Sequence, residues 1–328
     1  MLQDILHQKK CFKLVCGAGN EDAIEVEKLV ALYAMAGANY FDLSAKEEVV
    51  QAAISGLHRV VPAEKRENFY LNVSVGIKGD PHVSKAVINS SECVACGECK
   101  DACINNAVLY QQEQYEINTT RCIGCGACSK VCPVEAIYLN SENTPLEIVL
   151  PPLIKLGIDS IELHAVSEDE DDVIKQWRIL NDCFNGILSV CIDRSRLSDK
   201  TLIGRIEKML EGRKEYSTIV QADGAPMSGC NDENSTTLQA LATAQIVQRA
   251  KLPVFLMLSG GTNSKTAEMA KIFDIPSNGV ALGSYARMVV RQYIERDDFL
   301  DNKEVFDKAL IIARELVENT IRYMGSCQ

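Results

Sequence analysis

The chain lacks the features that mark several large classes of protein. No stretch approaches the roughly 18 consecutive apolar residues that span a membrane, and the first residues have no basic segment followed by an apolar core. We therefore expect neither a membrane span nor a secretory signal. Basic residues number 34 against 45 acidic ones, and the net charge of −11 argues against nucleic acid and anionic membranes as partners.

Common catalytic and nucleotide-binding signatures are missing as well. The sequence has no H-E-x-x-H, no G-x4-G-K-[ST] and no G-x-G-x-x-G after an expected strand, and no hydrolase triad can be read from it. Aromatic residues make up only 6% of the chain, whereas 47% of its residues are hydrophobic, which is typical of a globular protein. The sequence alone thus defines no complete catalytic set.

Cysteine, by contrast, is abundant, with 14 residues. Eight of these form two C-x2-C-x2-C-x3-C runs: Cys93, Cys96, Cys99, Cys103, and Cys122, Cys125, Cys128, Cys132. This spacing is that of bacterial ferredoxins with two [4Fe–4S] clusters, in which the fourth cysteine of each run binds the other cluster. We therefore predict one cluster on Cys93, Cys96, Cys99 and Cys132. The second is predicted on Cys103, Cys122, Cys125 and Cys128.

The two runs are copies of one 29-residue repeat. Short strands, Ala-Val-Leu-Tyr and Ala-Ile-Tyr-Leu, are expected after each run, and the glycines after Cys96 and Cys125 let the backbone approach a cluster. Zinc knuckles and a disulfide framework are the alternatives. The first run ends Cys103-Ile104 where the second has the expected Cys132-Pro133. We expect this difference to leave the cysteine ligation of both clusters unchanged but to make their reduction potentials differ. Such clusters are usually kept in reducing cytosol, which predicts a cytoplasmic protein.

Outside the cysteine runs, strand and helix patterns alternate. Eight apolar runs, each followed by a helical pattern, are predicted as strands at 12–16, 40–44, 69–75, 160–164, 186–192, 217–221, 253–258 and 279–282. Continuous apolar runs indicate strands that are covered on both faces. The pattern predicts an α/β fold, a (β/α)8 barrel of the TIM type with a two-cluster, ferredoxin-like α+β insert after strand three. An open doubly wound sheet is the alternative.

The expected domain boundaries follow from this topology. Residues 1–83 form the first part of the barrel, residues 84–142 the insert, and residues 143–328 the second part of the barrel. The insert occupies a βα loop, and these loops lie on the face where barrel active sites are built. We therefore expect the clusters over or beside the barrel mouth.

Two loops at this mouth are predicted to bind phosphate. Glycine-bearing loops after strands seven and eight commonly present backbone N–H groups and a helix N-terminus to a phosphate. The residues concerned are Ser259, Gly260, Gly261, Thr262, Gly283, Ser284 and Arg287. FMN or a phosphorylated substrate is the candidate ligand, and the alternative is that the glycines only form tight turns.

Further polar residues are expected at strand ends, namely Asp42, Asn72, Glu162, His164, Asp193 and Arg194. His164 is the candidate for acid–base catalysis, because imidazole titrates near neutral pH, with a hydrogen-bonded structural histidine as the alternative. Lys13 is either an interior lysine or a charge at a strand edge. The segment 221–230 is polar and glycine-rich, as in a binding loop.

Three further cysteines, Cys16, Cys191 and Cys230, fall near predicted strand ends and are candidate redox thiols. For Cys183 and Cys191, burial as small hydrophobic residues is the default expectation.

The cysteine module, combined with Gln221-Ala-Asp-Gly-Ala-Pro-Met-Ser-Gly and Leu258-Ser-Gly-Gly-Thr-Asn, resembles the light-dependent period family, iron–sulfur proteins of cyanobacterial circadian clock input. The similarity extends over nearly the whole chain. It implies that the protein relays the redox state set by photosynthetic light to the clock. It also implies clock input and oscillator proteins, including a histidine kinase, as partners, and it carries over the eight cluster cysteines but no catalytic residue.

Three functions are compatible with these features. The first is a redox sensor, and the second is an oxidoreductase that passes electrons through the clusters to a flavin or phosphorylated substrate at the barrel mouth. In the third, the clusters are purely structural. Neither the electron donor nor the oligomeric state follows from the sequence.

Overall fold

The computed structural model describes residues 1–17, 19–77, 84–141, 144–165, 167–192, 194, 197–224 and 233–324, with the side chains of residues 233 and 234 excepted. Asp193, Cys230 and most of the expected binding loop at 221–230 lie outside the described residues, and so do both expected domain junctions, at residues 78–83 and 142–143. The domain boundaries therefore stay predictions.

The described residues contain twelve strands: β1 Cys11–Val15, β2 Tyr40–Ser44, β3 Tyr70–Gly76, β4 Ser84–Ile88, β5 Val108–Gln111, β6 Gln114–Ile117, β7 Ile137–Ser141, β8 Ser160–His164, β9 Ile187–Ile192, β10 Thr218–Asp223, β11 Phe255–Ser259 and β12 Gly279–Leu282. The α-helices are α1 Leu2–His7, α2 Ala23–Ala36, α3 Glu47–Val60, α4 Glu98–Asp101, α5 Ala127–Val131, α6 Leu146–Lys155, α7 Glu170–Cys183, α8 Asp199–Leu210, α9 Glu233–Ala250, α10 Thr266–Ile272, α11 Ser284–Ile294 and α12 Lys303–Met324. A 3₁₀ helix spans Ala63–Asn68.

Eight of the strands close into a parallel barrel in the order β1-β12-β11-β10-β9-β8-β3-β2. Parallel pairing of β1 with both β2 and β12 closes the ring. The predicted (β/α)8 barrel is confirmed, and the alternative of an open doubly wound sheet is wrong. None of the helices in the described part of the chain has the length and apolarity needed to cross a bilayer.

The helices begin and end at residues suited to those positions. The carboxylate of Asp22 accepts hydrogen bonds of 3.1 Å from the backbone N–H groups of Ile24 and Glu25, which otherwise have no partner in the first turn of α2. The same helix ends at Gly37, whose φ of 106° is in the left-handed region that glycine adopts at low cost. These local signals fix where α2 begins and where it ends.

The barrel interior is divided into an apolar and a polar half. The apolar half is a buried cluster at the amino ends of the strands that includes Cys11, Tyr40, Phe255 and Met257. Leu2 and Leu6 of α1 belong to this cluster, so α1 closes that end of the barrel. The buried polar side chains follow on the same strands toward their carboxyl ends, because alternate residues of a strand face the same side. The barrel is thus a packed core at one end and a polar chamber at the other.

The insert, which we call the cysteine module (residues 84–141), lies between β3 and β8. It contains two antiparallel pairs, β4 with β7 and β5 with β6, and the short helices α4 and α5. The strands expected after each cysteine run are present as β5 and β7. A small core of its own joins Ala86, Ala107, Val108 and Ile137 to the buried cysteines. The module therefore packs as a separate unit on the barrel.

Candidate functional site

The first group of cysteines surrounds a small apolar pocket in the module. Cys93, Cys96 and Cys99 line it together with Cys132 from the other run. Gly97 follows Cys96 with a φ of +90° and begins α4, and a Cβ atom there would come within 3.0 Å of the Tyr115 hydroxyl. The backbone therefore turns close to the pocket at a position that suits glycine. Three thiols of one run and the last thiol of the other face a single space.

The second group has the same composition with the runs exchanged. Burial, together with the nearby thiols of Cys122, Cys125 and Cys103, raises the pKa of the Cys128 thiol to about 11. These four side chains are thus close neighbours although Cys103 belongs to the first run. The geometry has the crossed arrangement on which we based the predicted ligand sets, and soft thiolates are the donors that iron–sulfur clusters use.

Backbone amides point at three of these sulfur atoms. The N–H groups of Ala107 and Ala136 lie 3.3 Å from the sulfurs of Cys103 and Cys132, each four residues earlier, and Ala86 N–H lies 3.3 Å from Cys122 Sγ. Such hydrogen bonds stabilise negative charge on sulfur and are one of the factors that set cluster potentials. The residues present thus fit two clusters in both donor type and surroundings.

The module contacts the barrel beside its mouth, at the β1–α2 loop and at the end of α11. Lys85 Nζ donates to Gly19 O (2.6 Å) and to Cys122 O (2.8 Å), and Arg121 Nε donates to the Asp22 carboxylate (2.7 Å). The Arg291 guanidinium, which lines one small pocket together with Arg121, donates to Ile104 O. These contacts therefore join the second cysteine group, through Cys122 and the residue after Cys103, to the barrel.

In the polar chamber of the barrel, the Glu162 carboxylate is the central acceptor. Lys13 and Gln221 both donate to its Oε2 atom. Its Oε1 atom accepts from the Cys191 thiol at 2.9 Å and lies 3.3 Å from His164 Nε2. All five side chains are buried, and their strands span the barrel from β1 to β10. Lys13 is therefore an interior lysine and not a strand-edge charge.

The charges in the chamber shift one another. Burial alone raises the pKa of the Glu162 carboxyl, but the Lys13 ammonium and His164 outweigh it and hold that pKa well below its usual range. Asp42 lies 3.6 Å from Lys13 Nζ, and burial raises its pKa in spite of the lysine. Glu162 is therefore the ionised partner of Lys13.

Asp223 is the most unusual acid of the chamber. It is 2% exposed, and burial together with the neighbouring Glu162 charge raises the pKa of its carboxyl to about 7. Ser259 and Cys191 lie beside it and lower this pKa, yet neither carboxylate oxygen makes a hydrogen bond of ordinary geometry within the described residues. Buried carboxylates are normally paired, so this one marks a functional position.

The loops predicted to bind phosphate are largely covered by protein. A Cβ atom at Gly260 would meet the Asp223 side chain at 2.8 Å, and one at Gly261 would meet Thr236 at 2.4 Å. The Thr262 hydroxyl donates to Ala281 O. The Asp223 carboxylate thus lies beside Gly260, Thr236 fills the space at Gly261, and the Thr262 hydroxyl is already bound to a backbone oxygen. This surface is therefore a poor match for an anion. The phosphate site at Ser259, Gly260, Gly261, Thr262, Gly283, Ser284 and Arg287 stays a prediction.

Arg287, the cation of the predicted phosphate site, is held elsewhere. Its Nη1 donates to Cys16 O at 2.7 Å, and its Nε has no hydrogen-bond partner among the described residues. Cys16 itself is buried, and burial raises the pKa of its thiol. A buried protonated thiol is a poor nucleophile, so neither Cys16 nor Cys191 is a reactive thiolate in this state.

Some expectations about individual residues were wrong. Cys183 is exposed at the end of α7, because Val173, Trp177 and Leu180 occupy the buried face of that helix. Arg194, by contrast, does follow the end of β9 as expected, and it pairs with Asp199 at the start of α8. Asp42, Asn72 and Glu162 lie within strands and not at their ends.

The sequence analysis named Lys13, Glu162, His164 and Cys191 individually and Gln221 as part of a loop, but it missed that they converge on the Glu162 carboxylate. The signal was available in the alternation of the strands. Glu162 and His164, Ser189 and Cys191, and Gln221 and Asp223 are pairs two residues apart, on three neighbouring strands. Polar pairs with this spacing in otherwise apolar strands indicate one polar face shared by adjacent strands.

Comparison with known proteins agrees with both parts of this description. Residues 153–319 match the family of the light dependent period A C-terminal domain, and residues 86–139 match the 4Fe-4S dicluster domain. A curated relative, light dependent period A of Synechococcus elongatus, is 28% identical over 295 residues, which cover 87% of this chain and 82% of the relative.

Among solved structures, the YdjI aldolase of Escherichia coli K12 superposes with a TM-score of 0.53 at 10% identity, covering 99% of this chain and 97% of that one. Dihydrodipicolinate synthase of Oceanobacillus iheyensis gives a TM-score of 0.41 at 10% identity, covering 96% and 80%. The aldolase likeness supports the barrel fold alone. The dicluster match supports iron–sulfur clusters, and these similarities lend no support to FMN.

Proposed function

Because the chain belongs to the light dependent period A family, we propose that it is an iron–sulfur redox sensor of light-dependent clock input. The observation that carries the proposal is the arrangement of eight cysteines in two groups of four, each drawing three thiols from one run and one from the other. We assign Cys93, Cys96, Cys99 and Cys132 to one cluster. Cys103, Cys122, Cys125 and Cys128 are assigned to the other.

Two bound [4Fe–4S] clusters supply one-electron redox chemistry at these positions. The chain's own contribution is to couple charge in the module to the barrel. Lys85 and Arg291 are cations bound to backbone oxygens of Cys122 and Ile104, next to ligands of the second cluster. Lys85 also reaches Gly19 O and lies 3.4 Å from the Glu21 carboxylate in the β1–α2 loop. This loop and the end of α11 are therefore the barrel segments through which we propose that the redox state is reported.

The resemblance adds the partners of this proposal, which are clock input and oscillator proteins, including a histidine kinase. The redox sensor requires that binding to such a partner depends on the oxidation state of the clusters. The structure contains no partner chain, so the proposal is tested first on the protein itself.

The first experiment is anaerobic purification with iron and sulfide assays, followed by electron paramagnetic resonance during a redox titration. About eight irons per chain are expected from two cubane clusters. Cys96→Ser and Cys132→Ser should both disturb the same cluster signal, and Cys125→Ser and Cys103→Ser should disturb the other. Cys183→Ser, on the exposed end of α7, is the matched control and should disturb neither.

Hydrogen exchange in the oxidised and reduced protein then tests sensing. We expect the β1–α2 loop and the end of α11 to change exchange rate on reduction, while β9 and β10 do not. Two intact clusters with identical exchange in both states would reject the sensor in favour of purely structural clusters. Zinc in place of iron would reject the cluster assignment itself.

The polar chamber favours a second function, an oxidoreductase in which electrons pass through the clusters to a small molecule at the barrel mouth. A buried lysine, a histidine and three carboxylates inside the polar half of the barrel are residue types that enzymes use for catalysis, with His164 as the acid–base candidate. A stoichiometric flavin or phosphorylated compound released from the pure protein would support this function, and its absence would leave the sensor.

A further inference from the structure

Three potential metal-ligating atoms meet in the chamber. The carboxylate of Glu162, the imidazole of His164 and the thiol of Cys191 offer one ligand atom each, and these atoms all lie within 4.8 Å of one another. All three residues are buried, and they lie on the adjacent strands β8 and β9, where His164 and Cys191 are register partners. We propose that Glu162, His164 and Cys191 bind a zinc ion inside the barrel.

The distances are those of a site that needs little adjustment. Zinc binds cysteine sulfur at about 2.3 Å and histidine nitrogen or carboxylate oxygen at about 2.0–2.2 Å, so tetrahedral geometry separates N and O ligands by about 3.4 Å and S and O ligands by about 3.6 Å. In the chain, His164 Nε2 lies 3.3 Å and Cys191 Sγ 2.9 Å from Glu162 Oε1. The nitrogen already has the required spacing from Oε1, the thiol lies closer to Oε1 than zinc would hold it, and all three ligand atoms lie within 4.8 Å of one another.

Second, the hydrogen bonds divide the two oxygens of the Glu162 carboxylate. Lys13 and Gln221 both donate to Oε2, whereas Oε1 accepts from Cys191 and lies beside His164. A metal at Oε1 would replace the thiol proton between Cys191 and Glu162. Outer hydrogen bonds that fix a ligating carboxylate in this way are typical of metal sites.

Third, the charge of the chamber suits a divalent cation. Three buried carboxylates, Asp42, Glu162 and Asp223, share the chamber with the single buried ammonium found there among the described residues, that of Lys13. The buried acidic groups thus outnumber the buried ammonium, which favours binding of a cation. A mixed set of carboxylate, imidazole and thiolate ligands matches zinc better than magnesium or calcium, which take oxygen ligands.

Asp223 supplies an independent observation. It is 2% exposed, lies beside Cys191, and makes no hydrogen bond of ordinary geometry from either carboxylate oxygen within the described residues. Three protein ligands leave one tetrahedral position for water, as in catalytic zinc sites. A water molecule bound there would donate a hydrogen bond to Asp223 and satisfy it. None of these residues belongs to the cysteine module, so the zinc site can be tested independently of the clusters.

Zinc binding to the full chain tests the proposal. Protein purified anaerobically with its clusters is treated with a chelator, titrated with zinc chloride, desalted and analysed for zinc by mass spectrometry. We expect one zinc per chain. Zinc-edge X-ray absorption should show a single sulfur ligand near 2.3 Å, with the other ligands being nitrogen or oxygen near 2.0–2.2 Å. The iron of the clusters does not contribute at this absorption edge.

Variants then assign the ligands. Cys191→Ser should remove the sulfur from the zinc shell, and both Cys191→Ser and His164→Gln should weaken zinc binding by on the order of a hundredfold, at least the loss seen for outer-ligand substitutions. Cys183→Ser, which alters an exposed cysteine on α7, should change neither measurement. If Cys191→Ser does not fold, the zinc affinity of His164→Gln and the zinc ligand shell of the unaltered protein still test the proposal.

Three results would overturn the proposal. They are failure to retain zinc after desalting, a zinc shell made only of sulfur, which would place the metal on the module cysteines, and unchanged affinity in Cys191→Ser. Iron and sulfide content measured on the same samples separates failure of the zinc site from failure of the cluster assignment.

Discussion

The pair formed by Lys13 and Glu162 gives a sharp test of how the chamber is held together. Both side chains are almost fully buried, and the nearest other charge to the ammonium is Asp42 at 3.6 Å. Removing one partner of a buried ion pair leaves the other uncompensated and costs about 3–5 kcal/mol of unfolding free energy. We therefore expect Lys13→Met and Glu162→Gln each to destabilise the barrel by roughly that amount.

The double variant separates this explanation from simple loss of packing. With both charges removed, neither member of this pair is left without the other, and the loss of Lys13 beside Asp42 is common to the single and the double variant. We therefore expect the Lys13→Met/Glu162→Gln protein to be about 2–3 kcal/mol more stable than the sum of the single effects predicts. Additivity within about 0.5 kcal/mol would refute the reasoning, because it would mean that the two groups do not interact.

Urea unfolding followed by tryptophan fluorescence provides the assay. Trp177 is the only tryptophan, is 2% exposed, and donates from its indole to Met209 O at 2.8 Å, so its emission reports on packing of α7 against α8. The measurements are made anaerobically, with clusters in place and with a chelator, so that chamber metal does not contribute. Lys303→Met is the matched control. It removes a lysine from a solvent-exposed pair with Asp307 and should leave stability unchanged within error.

Three further predictions follow from other contacts. Gly56→Ala should destabilise the barrel by about 1–3 kcal/mol in the same assay, because a Cβ atom there would lie 2.5 Å from Glu27 O on α2. Gly204→Ala on α8 is the control: a Cβ atom there would meet nothing within 4 Å, so the substitution should stabilise the barrel by up to about 1 kcal/mol. Equal effects would contradict the close α2–α3 contact. Arg205→Met should cost about 2–4 kcal/mol, since the buried guanidinium donates to Ala165 O, Ser167 O and the Glu170 carboxylate, and Arg205→Lys should recover only part of the loss. Arg291→Gln should lower the midpoint potential of the cluster on Cys103, Cys122, Cys125 and Cys128 in a redox titration, because the cation beside Ile104 favours the more negative reduced state of that cluster. An equal shift in the potentials of both clusters would argue against this local effect.

Sequence patterns were sufficient for the barrel because each strand is a short apolar run with helical periodicity after it. They were sufficient for the two cysteine groups because the ligand spacing is itself the signal. They did not reveal α1, a helix of six residues that is too short for its periodicity to be read. That helix forms because Leu2 and Leu6 fill the open end of a barrel that the local sequence does not describe.

The chamber shows a different limit. Lys13, Glu162 and Gln221 are far apart in the sequence, and only closure of the barrel brings them onto one carboxylate. The sequence offered Lys13 two opposite environments, and ring closure between β1 and β12 decides between them. The expected burial of Cys183 was wrong for a local reason, since a helix that packs on one face exposes its remaining residues whatever their type.

The pairing of β4 with β7 has a consequence for how such a chain can arise. Ser84 and Ser141, the first and last residues of the module, are register partners, and their hydroxyl groups lie 2.5 Å apart. The module thus begins and ends at nearly one point. A gene segment encoding it could be gained or removed at a single site with little rearrangement of the host barrel, and a short linker in its place should give a barrel that is still able to close.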